Sequence, residues 1–82
     1  MGRRPLEIDQ STLRGKIAVR IRRERQKHFS TQQEFLDALA GHGLNVTKGT
    51  VSNWESGKHL PDIETLYAIA PLLHKKPHDF LP

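Results

Sequence analysis

The side chains best equipped for chemistry in this 82-residue sequence are its cations. Residues 1–29 carry nine Lys and Arg against three Asp and Glu, net +6, whereas residues 30–82 carry four against six, net −2. A basic third facing a mildly acidic remainder attracts an anionic partner, either nucleic acid or a lipid headgroup. Covalent chemistry has much less to work with. No nucleophile has an adjacent base and no Gly-rich loop is built to cradle a phosphate, so an enzyme is not expected. His74 and His78 have the i, i+4 spacing of a helical metal pair, but Pro77 intervenes, the chain has no Cys, and no third ligand stands near. Neither a metal nor a cofactor is expected.

The elements that must position these cations belong to one small domain, because domains run to roughly 100–200 residues. A chain of this size buries only about 60% of its unfolded surface. Without disulfides, its stability must come from well-packed regular elements or from a partner. The longest nearly apolar stretch, Leu66 to Leu73, has eight residues, too few for a membrane span, and no apolar segment follows Arg3 and Arg4. A membrane location is not expected. The absence of Cys fits a reducing, intracellular compartment.

Residues 1–11, with Gly2 and Pro5 and no period, read as an N-terminal arm ahead of a domain over 12–82. From Leu13 a helical period begins: Leu13, Ile17 and Ile21 are spaced i, i+4, i+8, with Ser11 or Thr12 as N-cap, and the helix runs to about Lys27. Most of its bases fall on the outer side. Arg25 does not. It projects beside Ile21 on the inward stripe, where an unpaired guanidinium is costly, so the fold must supply a carboxylate. Thr31 and Glu34 have capping-box spacing and open a second helix over about 32–40, with Phe35, Leu36 and Leu39 on one side and Gly41 as its stop. Residues 44–54 are ambiguous: Val46, Thr47, Thr50 and Val51 around Lys48-Gly49 suit strand, turn and strand, or a short helix capped by Thr47 with Thr50, Val51 and Trp54 inward. Asp62 caps a helix over about 62–73, with Ile63, Leu66, Tyr67, Ile69, Ala70 and Leu73 at helical spacing. Pro71 should kink or shorten it. Pro77 starts a last single turn with Phe80 and Leu81 as its apolar contacts.

The run Val46-Thr47, three residues, Val51-Ser52-Asn53-Trp54-Glu55-Ser56-Gly57-Lys58, then Pro61 and Glu64-Thr65-Leu66, resembles the phage repressor and Cro family of helix-turn-helix proteins, also called XRE-type. Upstream, Ile17, Ile21 and Arg25 match that family's first helix. Thr31-Gln32-Gln33-Glu34-Phe35 looks like the opening of its second. The resemblance covers about residues 13–82. It implies an all-α fold, a compact five-helix, lambda-repressor-like DNA-binding domain, and decides for a helix at 44–54. It departs from the family in the turn between the second and third helices, which Gly41 to Asn45 lengthen, in Phe29-Ser30 where Gly-Leu is usual, and in Pro71. The family's pairing of a first-helix Arg with the Glu of Trp-Glu-x-Gly implies a structural ion pair between Arg25 and Glu55.

The resemblance also implies roles. A recognition helix lies in the major groove with its N-terminal residues at base edges, and Lys48, Gly49, Ser52 and Asn53 share about 140° of outward surface. Lys48 can donate to guanine O6 and N7, Asn53 can pair bidentately with adenine N6 and N7, and Ser52 can reach a base or phosphate. Gly49 offers close approach of the backbone. Thr31 and Gln32 at the start of the second helix, with Lys58 and His59 beyond the third, are the expected phosphate anchors. Ile17, Ile21, Phe35, Leu39, Val51, Trp54, Leu66 and Ile69 form the expected core, Trp54 being core rather than a stacking platform.

The function so implied is a sequence-specific, double-stranded-DNA-binding transcriptional regulator, a repressor acting as a homodimer on a pseudo-palindromic operator. It would be bacterial or phage-encoded, cytoplasmic and nucleoid-associated. The dimer contact is expected around Leu73, Phe80 and Leu81. The alternative is a protein-interaction module, antitoxin-like or an assembly domain, using the same fold to hold an unidentified protein partner. A membrane-surface or calmodulin-like helix rests on the first helix alone, and Val19 is the only apolar residue on its outer face.

Overall fold

The computed structural model describes residues 11–81. Apart from Ser11, the arm expected over 1–11 lies outside the described residues, as does Pro82. Four α-helices follow one another, α1 (Leu13–His28), α2 (Gln32–Gly41), α3 (Lys48–Ser56) and α4 (Ile63–Ile69), then two 3-10 turns, Pro71–Leu73 and Pro77–Phe80. No strand occurs among the described residues. The segment that local propensity left open between strand and helix is thus helical.

Each α-helix begins where a short side chain can accept an otherwise unpaired N–H. Thr12 Oγ1 accepts from Gly15 N–H at 3.0 Å, Thr31 Oγ1 from Glu34 at 3.1 Å, Thr47 Oγ1 from Thr50 at 3.1 Å, and Asp62 Oδ1 from Thr65 at 2.8 Å. The bond from the Thr65 N–H, helped by that from its side chain, holds the Asp62 carboxyl below its ordinary value. At α2 the Glu34 carboxylate reaches one residue further back than a capping box requires. It accepts from both the N–H and the hydroxyl of Ser30, each at 2.9 Å.

Helix ends are equally local. Gly57 closes α3 at φ 83°, and a Cβ there would stand 3.5 Å from Ala18 Cβ and 3.7 Å from the Arg14 carbonyl oxygen. The left-handed turn and the close approach of α1 both favour glycine. The α-helical part of the fourth element stops at Ile69, short of the residue 73 expected from periodicity. Pro71 has no N–H to continue the ladder, and the chain tightens to i+3 bonds, Leu73 N–H to Ala70 O and His74 N–H to Pro71 O, both 3.0 Å. The last of the five expected helices is the 3-10 turn Pro77–Phe80.

The core draws on every element: Ile17 and Ile21 from α1, Phe35 and Leu39 from α2, Val51 and Trp54 from α3, Leu66 and Ile69 from α4, then Ala70, Leu73 and Phe80. All eight residues of the expected core are in it, whereas three apolar residues at helical spacing fall outside. Leu13 is 60% exposed, because it stands in the first turn of α1 ahead of the packed stripe, and Ile63 and Tyr67 are 64% and 63% exposed on the outer face of α4. Conversely, Leu73 and Phe80 are 0% and 1% exposed. They are consumed by the chain's own core and unavailable to a second chain, which removes them from the expected dimer contact. Leu81, 45% exposed, remains accessible.

Candidate nucleic-acid interface

α3 buries Val51, Trp54 and Glu55 along one side, and its 3.6-residue period turns the other side outward. Lys48, Gly49 and Ser52 are exposed there, with Asn53 half-buried at the margin. An amine, a hydroxyl and a carboxamide on one face form a set of hydrogen-bonding groups suited to base edges. No carboxylate interrupts it, because Glu55, the one acid in α3, lies on the buried side. Gly49 has an ordinary helical φ, and a Cβ there would meet only the Thr47 hydroxyl at 3.7 Å, a normal contact. Nothing inside the chain calls for glycine at that position.

Glu55 is held from two helices. Arg25 donates from Nε to Glu55 Oε2 at 2.8 Å and from Nη2 to Oε1 at 3.0 Å, and its Nη1 donates to the Phe29 carbonyl at 3.2 Å. The two side chains are 7% and 6% exposed. Such a planar bidentate pair fixes the rotation of α3 against α1. Gln32, the first residue of α2, extends the network: its Nε2 donates to Glu55 Oε1 at 3.2 Å, and its Oε1 accepts from Ser52 Oγ at 3.2 Å. A residue expected at a phosphate and one expected at a base are therefore hydrogen-bonded to each other. Among the described residues every buried side-chain polar atom has a partner.

The other expected anchors are more scattered. Thr31 is exposed, with its hydroxyl oxygen used as the α2 cap. Lys58 and His59 are exposed just past the C-terminus of α3, at the opposite end of that nine-residue helix from Lys48. The Lys58 carbonyl accepts from Arg14 Nη1 at 3.4 Å, which leaves its ammonium group free to act elsewhere.

Sequence reasoning missed the work of two polar residues on α1. Arg20, assigned to a solvated outer face, donates from Nη1 to the carbonyls of Asp79 at 3.1 Å and Leu81 at 3.0 Å, clamping the C-terminal turn. Glu24 is buried and accepts from Lys27 Nζ at 3.2 Å. The Arg20 contacts, 59 and 61 residues apart, leave no periodic trace, whereas Glu24 and Lys27 have the i, i+3 spacing of neighbours on one helix face. His74 and His78 face different neighbours, His74 packing against His28 with ring centroids 4.6 Å apart and the rings tilted by 38°, and His78 Nε2 lying 3.6 Å from Asp79 Oδ1. No group of three His, Cys, Asp or Glu able to hold a metal occurs among the described residues. No helix there is long and apolar enough to cross a membrane.

The sequence model of the helix-turn-helix family matches residues 21–80, from the second half of α1 through the last 3-10 turn. Comparison with curated proteins and with solved structures found no match. The matched span includes the network of Arg25, Gln32, Ser52 and Glu55 and the outward face of α3, and the chain belongs to the XRE-type helix-turn-helix family of DNA-binding regulators, the Cro and phage-repressor kind.

Proposed function

We infer that this chain is a sequence-specific regulator of transcription, a repressor, that inserts α3 into the major groove of double-stranded DNA. The observation that carries this reading is the outward face of Lys48, Gly49, Ser52 and Asn53, free of carboxylates and held over a buried Arg25–Glu55 pair. Lys48 and Asn53 read base edges, Gly49 lets the helix backbone approach, and Thr31, Lys58 and His59 bind phosphates that set the register. The longer link between α2 and α3, residues 42–47, is a feature of this member of the family. The protein performs no covalent chemistry and acts in the cytoplasm, on the nucleoid.

One short recognition helix spans only a few base pairs, so two copies on a two-fold operator are required for useful selectivity. The exposed apolar pair Ile63 and Tyr67, one turn apart on α4, offers a surface for that contact now that Leu73 and Phe80 are internal. Two side chains fall far short of the roughly 800 Å² per partner of a stable interface, so the free chain is monomeric and pairs on DNA. The same pair would serve a different protein partner, which is the reading that competes.

Selection of bound sequences from a random duplex pool with the purified chain tests the proposal. A consensus with two-fold symmetry is expected. Recovery of no consensus would favour the protein-interaction module.

A further inference from the structure

Between α1, the start of α2 and α3 lies a cleft of about 100 Å³, lined by Arg22 and Gln26, by Gln32, by Ser52 and Ser56, and by the Arg25–Glu55 pair. Its inventory is lopsided. Glu55 is the one carboxylate on its walls, and both oxygens are taken, Oε2 by Arg25 Nε and Oε1 by Arg25 Nη2 and Gln32 Nε2. Gln32 Oε1 is taken by the Ser52 hydroxyl. Ser56 Oγ donates to the Asn53 carbonyl at 3.3 Å and accepts from Lys58 N–H at 3.4 Å. Arg22 is half-buried at this cleft and has neither an ion-pair partner nor a hydrogen-bond partner among the described residues. The nearest acid in sequence, Glu24, is engaged by Lys27. Glu55, the one carboxylate beside it, is already neutralised by Arg25, so a half-buried guanidinium without an ion-pair partner is matched by an external anion.

The cleft shares Ser52 and Gln32 with the surface read above as DNA-facing. A helix seated in the major groove is flanked by a sugar-phosphate strand on each side, and the groove is only about 12 Å wide. An Arg beside the recognition helix on its α1 side then meets backbone phosphate rather than bases. We propose that Arg22, with Gln26 next to it, binds one phosphodiester of the strand flanking α3, making α1 part of the DNA interface and not merely its support. This rests on α3 being the groove-entering helix. It changes the meaning of the basic α1 face: Arg20 is committed to the C-terminal carbonyls and Arg25 to Glu55, whereas Arg22 is committed to the ligand.

The test uses the full chain and the selected duplex beside a scrambled one, with affinity measured at several salt concentrations. For Arg22→Ala, binding to both duplexes should fall by the same factor, roughly tenfold, and the slope of log affinity against log salt should shrink by about one per chain. Arg22→Lys should restore the slope and only part of the affinity, because the ammonium keeps the charge and loses the bidentate fork. Neither variant should change the melting temperature. Single methylphosphonate replacements along the selected duplex should find one phosphate per half-site whose neutralisation weakens the wild type but not Arg22→Ala. If wild type selects its duplex while Arg22→Ala leaves slope and affinity unaltered, the Arg22 contact is overturned and the α3 reading stands. If wild type binds without selectivity and Arg22→Ala still lowers the slope, the α3 reading falls and takes with it the placement beside α3, leaving a backbone contact by Arg22 alone. Absence of any DNA binding overturns both. Saturable binding of inorganic phosphate to the free chain, with no methylphosphonate position sensitive to Arg22, overturns the DNA assignment in favour of a small-anion site.

Discussion

Ser52 on α3 donates from its hydroxyl to Gln32 Oε1 at the start of α2, at 3.2 Å. The helix proposed to read bases and the helix proposed to lie across the backbone are thus joined by a direct side-chain bond at their exposed edges. The same Gln32 amide continues to Glu55 and from there to Arg25, so the outward face of α3 is connected to α1 through four consecutive side chains.

Ser52→Ala and Gln32→Ala should therefore not act independently on DNA. Each single variant loses the shared bond, and the double variant should cost less than the sum by about 0.5–1.5 kcal/mol in binding free energy. Titration of the selected duplex with the four proteins of the cycle measures the coupling. A coupling of zero would show that the bond does not survive in the complex.

The Arg25–Glu55 pair is buried, with the two side chains 7% and 6% exposed. Removing one partner leaves the other charge buried and unmatched, so Arg25→Met or Glu55→Gln should destabilise the chain by roughly 3–5 kcal/mol. Urea unfolding monitored through the buried Trp54, which precedes Glu55 in α3, gives the measurement. The double variant should recover part of the loss, and strict additivity would contradict the pairing.

Gly49 tests whether the requirement for glycine lies outside the chain. Because a Cβ there meets nothing closer than 3.7 Å, Gly49→Ala should raise stability by up to about 1 kcal/mol through helix propensity. It should at the same time weaken binding to the selected duplex if the α3 backbone comes close to DNA. Thermal melting and DNA titration of the same variant read the two effects separately; a gain in both stability and affinity would remove Gly49 from the interface.

On α4, Tyr67→Asp alters a side chain that is 63% exposed and should leave monomer stability within about 0.5 kcal/mol of wild type. It should abolish paired occupancy of the operator, seen in sedimentation as one chain per duplex where wild type shows two. Phe80→Ala, by contrast, should cost about 3–5 kcal/mol of stability through the cavity it leaves. Unchanged stoichiometry with Tyr67→Asp would place the two-fold contact elsewhere.

What could be read from the chain follows the range of the physics involved. Thr12, Thr31, Thr47 and Asp62 act on N–H groups three residues away, so the starts of α2 and α4 were visible in sequence and that of α1 to within Ser11 or Thr12, whereas Thr47 capped only one of two local readings until the family pattern decided for a helix. The inward stripe of α1 set Arg25 among apolar groups and demanded a carboxylate, but nothing local said which one; the identity of Glu55 came from the family pattern. Apolar periodicity put Ile63 and Tyr67 at helical spacing with Leu66 and Ile69, and only the latter two, the expected core residues of α4, are buried. Pro71 ends α4 early and leaves Ala70, Leu73 and Phe80 to complete the packing, which buries the residues expected at a partner. Arg20 reaching the carbonyls of Asp79 and Leu81, and Gln32 reaching Ser52, are long-range polar contacts that depend on tertiary placement and on no period.

The central claim is that α3 reads sequence, and Asn53→Ala tests it most directly. Affinity for the selected duplex and for a scrambled duplex, measured side by side at fixed salt, should show a loss of about 1–3 kcal/mol on the first and almost none on the second, with preference relaxed at one base pair per half-site. Equal weakening of both duplexes, or of neither, would contradict major-groove reading by this helix.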